Sequence, residues 1–372
     1  MQRNADLHLH SRFSMATSKD MLPENILAGC RMKGIDVVGS GDALHPEWRR
    51  MWEPFVENEY GIVVVPQTEV EDSARVHHVI LMESFDQFAE LQDRFAPACG
   101  HLVTAGRPHL HLNGGEIAAA VHDLGGMIGP AHAFTPWTSL FAAYTEPSAC
   151  YGEEGFEFCE LGLSADSSYG VGIAELADVP FLTSSDAHSP TPLKLGREFT
   201  RIELARCSPK AALAAVAEGA VVLNAGFFPE EGKYNRTACT RCYAQFSLAE
   251  AKRLHWRCSH DKGRIKLGVR ERAEVLATLV EPVMRPPYLK MIPLGEVIVR
   301  VLGASSPSVK KCTALYGRLI EAFGSEIAVL LEVPAADLAA VSLVAAEAII
   351  KMREGRVTLF PGGGGKYGSF DF

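Results

Sequence analysis

The sequence predicts an α/β fold with a barrel of parallel strands, followed by a small cysteine-rich unit and a helical tail. Through residue 225, β-branched runs alternate with helical stretches, as in wound α/β domains. Cysteines are grouped after a loop rich in Gly, Pro and Tyr that begins at residue 226. After residue 272 strand signals fade, and Ala and Leu recur with helical periodicity. We therefore predict three domains, 1–225, 226–272 and 273–372.

Eight short runs in the first domain have the composition of strands. They are Ala5 to Leu9, Ile35 to Val38, Ile62 to Val65, Val76 to Met82, Met127 to Gly129, Phe156 to Cys159, Phe181 to Thr183 and Arg201 to Leu204. Two helices have clear boundary signals. Pro23 opens one that Gly34 closes, and Ser208 caps another, with Pro209 at its first position and Gly219 at its end. Helical periodicity in the tail covers 305–323, 334–352 and the stretch before Pro282.

Charge is distributed unevenly along the chain. The 372 residues carry −9 overall, but residues 232–272 hold eleven Lys or Arg against three acidic residues, a net +8 that leaves −17 elsewhere. This basic segment is a candidate for contacting phosphates, and a solvated charged face is the alternative. No apolar run reaches 18 residues and the start lacks a signal-peptide pattern, so we expect a cytoplasmic protein with no membrane partner. Nine mostly scattered cysteines argue against a disulfide framework.

Histidines and carboxylates recur where predicted strands end. His8 and His10 stand at strand spacing, which points both imidazoles to the same side. Five further candidate ligands follow later strands: Asp42, Glu69, His132, Asp186 and His188. Any single His of this kind is more often a structural imidazole with a satisfied partner. Because a barrel gathers the carboxyl ends of its strands on one face, the joint pattern favours a metal centre.

The ligand types indicate the chemistry. Imidazole and carboxylate together suit Zn²⁺, Mn²⁺ or Fe²⁺. Two such ions sharing a carboxylate would clamp a phosphoryl group and activate a bound water, which is phosphoester hydrolysis. We expect Asp42, His132 and Asp186 to take part in catalysis, and the His and Asp residues of the cluster are candidates for the general acid.

The motifs DLHLHS, GSGD, TEVE with VHHVIL, GPAH and SSDAH resemble those of the polymerase and histidinol phosphatase (PHP) domain. The resemblance implies a distorted (β/α)7 barrel that binds up to three metal ions, with Asp42 in its second motif. The ligands that it implies are His8, His10, Glu69, His78, His132, Asp186 and His188. Two features depart from the pattern: the usual TDH is Gly41, Asp42, Ala43, and the His expected after the first motif is absent from SRFSMATS. We therefore expect two divalent ions, Zn²⁺, Mn²⁺ or Mg²⁺.

Longer phrases resemble one branch of these proteins, the endonuclease Q family. They include SRFSMATSKDM, TAGRPHLHL, GPAHAFTPWTSL, ELGLSADSSYG and GKYNRTACTRCY, and the likeness covers most of the chain. It implies a DNA repair endonuclease that nicks on the 5′ side of uracil, hypoxanthine, xanthine or an abasic site. Damaged double- or single-stranded DNA is then the partner and the location is the nucleoid, while a replication sliding clamp is left open as a further partner. We expect products with 3′-hydroxyl and 5′-phosphate ends.

The grouped cysteines form a CxxC knuckle, Cys239 and Cys242, followed after fifteen residues by Cys258. This spacing fits one structural Zn²⁺ in a ribbon, and a degenerate, metal-free ribbon is the alternative. The resemblance implies a fourth Cys that is replaced here. When the chain is aligned with the family's pattern, Asp261 stands at the position of this Cys, whereas His260 is chemically the better ligand. The sequence leaves both residues open as the fourth ligand.

A nuclease that reads a damaged base must hold it outside the stack against flat surfaces. Candidate pocket residues are the aromatic Phe134, Trp137 and Tyr169, with Ser164 and Asp166 as polar readers. Core packing is the rival explanation for these aromatic rings. Candidate phosphate contacts beside the metal motifs are Arg12, Lys19, Arg107 and Arg197, and surface salt bridges would explain them as well.

Two other functions remain alternatives. The metal motifs alone would equally suit a PHP phosphatase or exonuclease that acts on small phosphoesters or DNA ends. The basic ribbon and the helical tail argue against it, since a small-molecule phosphatase needs neither. A DNA-binding module with a decayed site is the second alternative, and the retained His8, His10, Glu69, Asp186 and His188 argue against that.

Overall fold

The computed structural model describes residues 1–372. It contains fifteen strands: β1 (Gln2–Asp6), β2 (Val37–Gly39), β3 (Val63–Val65), β4 (Gln67–Glu71), β5 (His77–Leu81), β6 (Met127–Pro130), β7 (Cys159–Glu160), β8 (Phe181–Leu182), β9 (Phe199–Glu203), β10 (Val221–Gly226), β11 (Ala238–Cys239), β12 (Ile265–Lys266), β13 (Tyr288–Lys290), β14 (Thr358–Phe360) and β15 (Ser369–Asp371).

The α-helices number thirteen: α1 (Pro23–Lys33), α2 (Pro46–Trp52), α3 (Phe85–Phe95), α4 (Gly114–His122), α5 (Leu140–Ala143), α6 (Ser148–Tyr151), α7 (Pro209–Ala217), α8 (Leu248–Arg253), α9 (Val269–Leu276), α10 (Leu294–Val301), α11 (Lys310–Phe323), α12 (Ala335–Val341) and α13 (Leu343–Arg353). Short 3₁₀ helices lie at Glu53–Phe55, Ala96–Ala98, Ser167–Tyr169, Ala174–Leu176 and Pro229–Glu231, and a π-helical turn at Ala328–Glu332. None of these helices is both long and apolar enough to cross a membrane.

The strands of the first 226 residues follow one another around a distorted barrel. A six-stranded sheet has the order β13-β10-β9-β1-β2-β3, in which β1, β2 and β3 are parallel and β9 is antiparallel to β1. The three-stranded sheet β4-β5-β6 continues one residue after β3, and β6 contacts the parallel pair β7-β8. A bridge between Leu9 and Ala187, with the His10 N–H donating to the Ala187 carbonyl at 3.0 Å, closes the ring.

The predicted strands are mostly confirmed. Parallel strands were expected throughout, but the β4-β5-β6 sheet is antiparallel, and β9 is antiparallel to both β1 and β10. Seven strands were not predicted: β4, β10 and the five short strands β11 to β15, three of which lie beyond residue 272. Only Pro66 separates β3 from β4, and a proline of this kind is a local signal that a strand is interrupted.

The predicted helix boundaries in the first domain are confirmed. Helix α1 starts at Pro23 and ends at Gly34, whose φ of 93° is left-handed, the conformation that glycine adopts without strain. The Ser208 side chain accepts from the Ala211 N–H and caps α7. In the tail, 334–352 forms two helices instead of one, because Ser342 takes an extended conformation and caps α13 through the Ala345 N–H.

The helical tail packs directly on the barrel. The largest core cluster contains residues of α1, β2 and β3 together with residues of α10 to α13. Lys33 of α1 and Glu326 form a fully buried ion pair at 2.7 Å. Strand β13, from the segment assigned to the third domain, pairs with β10 at the edge of the barrel sheet. The domain boundaries near residues 226 and 272 stay a prediction.

Candidate metal centre and its cleft

Two carboxylates orient the first two histidines of the centre. His8 and His10 follow β1 and are fully buried. His8 Nδ1 lies 2.9 Å from Glu160 Oε2, and His10 Nδ1 lies 3.1 Å from Asp42 Oδ1. Each carboxylate fixes the orientation of its imidazole, the arrangement found around metal-bound histidines. Both Nε2 atoms are thereby left facing the centre.

Glu69 of β4 lies in the middle of the cluster. Its Oε1 lies 2.9 Å from His77 Nδ1 and 3.0 Å from His132 Nε2. Its Oε2 lies 3.3 Å from His10 Nε2 and accepts from Arg107 Nη1 at 3.0 Å. One carboxylate therefore contacts groups on two sides of the centre, as a bridging ligand does.

Asp186 and His188 lie at the mouth of the centre, after β8. Asp186 Oδ1 is 3.1 Å from His10 Nε2 and 3.9 Å from His8 Nε2. The His188 ring packs 4.5 Å from the His10 ring, and its Nδ1 lies 3.0 Å from the Asp186 carbonyl. These two side chains are about one third exposed, in contrast with the buried His8, His10 and Glu69.

The donor set fits divalent cations. Three buried atoms, His8 Nε2, His10 Nε2 and Asp186 Oδ1, have no hydrogen-bond partner although they converge on one point. Buried polar atoms are rarely left unpaired in proteins, so a cation among them is the natural partner. The donor atoms form three overlapping triads, each within 4.8 Å: His8–His10–Glu69, His10–Asp186–His188 and Glu69–His77–His132.

Three residues of the centre have a strained backbone. Asp42, His132 and Asp186 have φ values of 38°, 33° and 47°, in the left-handed region that residues with a Cβ seldom adopt. Such strain persists only where surrounding structure imposes it, and it concentrates at functional sites. Each of the three residues lies in the segment that follows a strand.

The electrostatics keep the acidic ligands ionised. Burial alone would raise the pKa of Glu69, but His77 and His10 hold that pKa well below its usual range. Burial likewise opposes ionisation of Asp186, and the neighbouring His10 imidazole lowers the pKa of this carboxyl. Burial alone would lower the pKa of His8, whereas the carboxylates of Glu160 and Glu69 raise it to about 9. Divalent ions would therefore compete with protons for His8.

The structure corrects one predicted ligand. His78 was expected in the centre, but its neighbour His77 lies there instead. In the antiparallel pair, His77 stands opposite Glu71 and His78 opposite Val70, so His77 shares a face with Glu69. Glu69 and Glu71 are two residues apart on β4, so their side chains lie on the same face. To place His77 on that face as well, one must know the register between β4 and β5.

Two further residues have different places from those expected. Glu160 was missed as a member of the centre, although it holds His8 and also accepts from the His132 N–H at 2.8 Å. Asp42 was expected to act in catalysis, but it is fully buried behind His10. Its carboxylate accepts from the Ser11 N–H at 2.7 Å and from the Ser14 hydroxyl at 2.8 Å. Asp42 therefore contacts the centre through His10, and its part in catalysis stays a prediction.

A cleft of about 310 Å³ opens over the centre. Its walls include Arg107, His132, Glu160 and Asp186 of the centre and the partly exposed Trp137. The Trp137 ring contacts Tyr234 edge-on at 4.6 Å, and Lys266 Nζ lies 3.7 Å above it. An aromatic and cationic surface therefore borders the metal centre on the side of the cysteine-rich unit.

The other predicted pocket residues do not line this cleft. Phe134 is 3% exposed and packs against Phe141, as the core-packing explanation expected, although it also lines a second cleft. Asp166 pairs with Lys290 Nζ at 3.1 Å. Tyr169 and Ser164 likewise lie outside this wall: the Tyr169 hydroxyl accepts from Asn235 at 2.7 Å, and Ser164 is half-buried beside Gly232. Tyr169 and Ser164 thus lie where the barrel meets residues 226–272.

The second cleft, about 630 Å³, lies between the barrel and the cysteine-rich unit. Trp256, Arg264, Lys266 and Arg272 contribute to its walls. Thr135 lines both clefts, which makes them neighbours. A basic and aromatic surface therefore runs from the metal centre to the ribbon.

The predicted phosphate contacts differ in their surroundings. Arg12 and Lys19 are exposed beside the first motif and form no ion pair. Arg107 lies in the centre itself, against Glu69. Arg197 donates from Nε to the Ser185 carbonyl at 2.9 Å and lies 6.0 Å from the Phe227 ring. Arg12 and Lys19 are thus free to contact a ligand, whereas Arg107 and Arg197 also hold parts of the site in place.

The cysteine-rich unit brings four donors together: Cys239, Cys242, Cys258 and Asp261, all within 4.8 Å. Backbone N–H groups point at two of the sulfurs, Arg241 at Cys239 and His260 at Cys258, each at 3.4 Å. The His260 side chain is exposed and outside the cluster, so Asp261 takes the fourth position. Three thiols and a carboxylate suit a structural Zn²⁺.

Comparison with known proteins places the chain in a family. A family model of the MJ0043 C-terminal domain matches residues 293–356. The uncharacterized protein MJ0043 of Methanocaldococcus jannaschii is 39% identical over 246 residues, which are 64% of this chain and only 31% of that protein.

Two solved structures cover the whole chain. The lesion-specific endonuclease PfuEndoQ from Pyrococcus furiosus superposes with a TM-score of 0.96 at 39% identity, over 100% of this chain and 96% of that one. Endonuclease Q in complex with a 27-mer duplex that carries an abasic lesion at the active site gives 0.93 at 39% identity, over 100% and 97%. The predicted fold class is thereby confirmed. This chain belongs to the endonuclease Q family.

Proposed function

We propose that this chain is a DNA repair endonuclease that hydrolyses the phosphodiester on the 5′ side of deaminated bases, namely uracil, hypoxanthine and xanthine, or of abasic sites. Two divalent ions, Zn²⁺, Mn²⁺ or Mg²⁺, would serve the reaction. The observation that carries the proposal is the set of buried, unpartnered donor atoms around Glu69, at the bottom of a cleft bordered by aromatic and basic side chains.

Two donor groups share Glu69 and would each hold one ion. The first comprises His8, His10 and Asp186, and the second His77 and His132. When bound, the ions supply Lewis-acid stabilisation of the phosphoryl group and a water that is acidic enough to attack at neutral pH. Glu160 and Asp42 orient the histidines, and His188 lies beside the first group at the mouth.

The protein's own charges would position the DNA. Arg107 faces the cleft beside Glu69, and we assign it to the phosphate next to the lesion. Arg12 and Lys19 would bind phosphates further along the strand, where they contribute affinity without base selectivity. The ribbon's +8 charge would extend the same backbone contacts.

Trp137 is the residue best placed to receive an extruded base. Its ring is 46% exposed, opens to the metal cleft and is backed by Lys266 and Tyr234. Stacking on an aromatic face contributes roughly 1–3 kcal/mol per base. A flat surface in the wall of the cleft would select bases that leave the duplex easily, as deaminated and therefore mispaired bases do. Binding to a replication sliding clamp stays a prediction.

The test uses end-labelled duplexes with one uracil, one hypoxanthine, one abasic site or no lesion, each with Mg²⁺, Mn²⁺ or Zn²⁺, beside a small phosphate ester. We expect a nick immediately 5′ to each lesion that DNA ligase reseals, since ligase needs 3′-hydroxyl and 5′-phosphate ends. Turnover of the ester alone, or shortening from the ends, would favour a phosphatase or an exonuclease. Binding without turnover would favour a non-enzymatic module.

The variant Trp137→Ala tests the pocket. We expect it to lose its preference for lesion-bearing DNA while its metal content stays unchanged, because the ring contacts no ligand of the centre. Val280→Ala removes a fully solvated apolar side chain and serves as the matched control. Unchanged selectivity of Trp137→Ala would remove this residue from lesion recognition.

A further inference from the structure

The face of β5 opposite to the metal centre carries a second cluster of metal-ligating side chains. Asp72 follows β4, His78 belongs to β5 and Cys150 to α6, and all three are buried. Their donor atoms lie within 4.8 Å of one another. None of the three contacts the cleft or Glu69, since successive side chains of a strand point to opposite faces.

The donor atoms are held in place and left without partners. Asp72 Oδ1 accepts from the Ala74 and Val76 N–H groups at 2.9 and 2.7 Å, which leaves Oδ2 free. His78 Nδ1 lies 2.8 Å from the Tyr151 hydroxyl, which leaves Nε2 free. The two free atoms are 3.3 Å apart, yet neither has a hydrogen-bond partner.

We propose that Asp72, His78 and Cys150 bind one Zn²⁺-like transition-metal ion, separate from the ions of the cleft and from the ribbon. A separation of 3.3 Å between Nε2 and Oδ2 matches the roughly 3.3–3.7 Å between neighbouring ligands of a tetrahedral zinc ion. Thiol, imidazole and carboxylate donors together select zinc over Mg²⁺, which prefers oxygen ligands.

Neighbouring residues leave space for the cluster and orient His78. A Cβ added to Gly114, at the start of α4, would lie 2.6 Å from Cys150 Sγ and 3.3 Å from His78 Cε1. Glycine at this position therefore makes the room that the three donors occupy. The contact between His78 and the Tyr151 hydroxyl resembles the outer hydrogen bond that orients metal-bound histidines.

Metal binding would change the protonation of the thiol. Burial raises the pKa of Cys150 to about 12, so the free side chain is a neutral, unreactive thiol at pH 7. Coordination forms a bond from the thiolate sulfur to the ion and releases the thiol proton to solvent. The bound ion would tie the β4–β5 turn to α6 and so stiffen the strand that presents His77 to the catalytic cleft.

The experiment measures metal content of the full-length protein after dialysis against metal-free buffer. We expect Cys150→Ser to contain one zinc equivalent per chain less than the unaltered protein, whereas Cys30→Ser, which replaces an equally buried cysteine outside every donor cluster, loses none. Equal zinc content in Cys150→Ser and the unaltered protein would overturn the proposal.

A second measurement needs no variant. Crystals of the unaltered protein grown with Zn²⁺ should give an anomalous-difference peak between Asp72, His78 and Cys150, measured at the zinc absorption edge. Peaks confined to the cleft and the ribbon would show that His78 and Asp72 hold no metal ion and would overturn the proposal. This experiment measures metal occupancy and not DNA nicking, so a negative result would leave the proposed function untouched.

Discussion

His77 and His78 are adjacent in sequence, and their side chains lie on opposite faces of β5. His77 Nδ1 lies 2.9 Å from Glu69 in the catalytic cleft, whereas His78 Nδ1 lies 2.8 Å from the Tyr151 hydroxyl in the core behind it. The strand between β4 and β6 thus separates two clusters of metal-ligating side chains.

His77→Ala should lower nicking activity and metal affinity by roughly 10–100-fold, because the side chain contacts both Glu69 and His132. Single-turnover nicking at several Mn²⁺ concentrations measures both effects. His101→Ala, in an exposed loop, is the control and should behave as the unaltered protein does. Full activity of His77→Ala would place this histidine outside the metal centre.

Glu160→Gln should weaken metal binding by about 10–100-fold, since the neutral amide holds His8 less strongly than the carboxylate does. The fold should be preserved because the amide is isosteric. Isothermal titration with Mn²⁺ gives the affinity, and Glu153→Gln on the surface is the matched substitution. An unchanged affinity would mean that His8 needs no carboxylate behind it.

Glu326→Gln should reduce the free energy of unfolding by about 3–5 kcal/mol, because it leaves the buried Lys33 ammonium without its counter-charge. Adding Lys33→Met to the same chain should restore part of the loss. Urea unfolding of the two variants measures the difference. If the double variant is less stable than Glu326→Gln, the loss does not come from an unpaired charge.

Glu198 should make stability depend on pH. Burial raises its pKa to about 8, well above the ordinary value of 4.5. The folded state therefore holds the proton more tightly than the unfolded state. This contribution to stability is fully present below about pH 4.5 and is lost as the pH rises through 8, by about 3–6 kcal/mol in total.

Glu198→Gln mimics the protonated side chain and should remove that loss. We expect the variant to be more stable than the unaltered protein at pH 8.5 and similar to it at pH 5, as measured by urea unfolding at both values. A constant difference between the two proteins across this range would show that Glu198 is not the titrating group.

Cys258→Ser should release the ribbon's zinc and unfold the ribbon without unfolding the barrel. The ribbon's own core consists of four buried residues, Cys239, Ala251, Cys258 and Ile265, which is too small to fold unaided. Limited proteolysis should cleave first within 238–266. Cys207→Ser, an exposed cysteine, is the control. A protease-resistant ribbon in Cys258→Ser would indicate that zinc does not hold it together.

Part of the site could be predicted from local sequence. His8 and His10 share a face because of strand spacing, and helix α1 ends where Gly34 adopts a left-handed backbone. The ends of β-branched runs marked Glu69, His132 and Asp186, which the structure brings together. These features depend on a few consecutive residues, so they can be recognised without knowledge of the tertiary structure.

Other features depend on distant pairings. The choice of His77 over His78 follows from the antiparallel register of β4 and β5, and a shift of one residue would exchange them. The role of Glu160 required β7 to lie beside the end of β1, 152 residues earlier. Likewise, the turn around Gly263 brings Asp261, and not His260, to the cysteines.

The sequence by itself therefore determined the α/β class, the ligand types and the strand ends that carry them, because periodicity and turn signals are local. Only the tertiary structure decided which side chains converge, which of them are buried behind the ligands and which aromatic ring faces the cleft. Side-chain direction is set by strand register and barrel closure, and both are fixed by contacts between residues far apart in the chain.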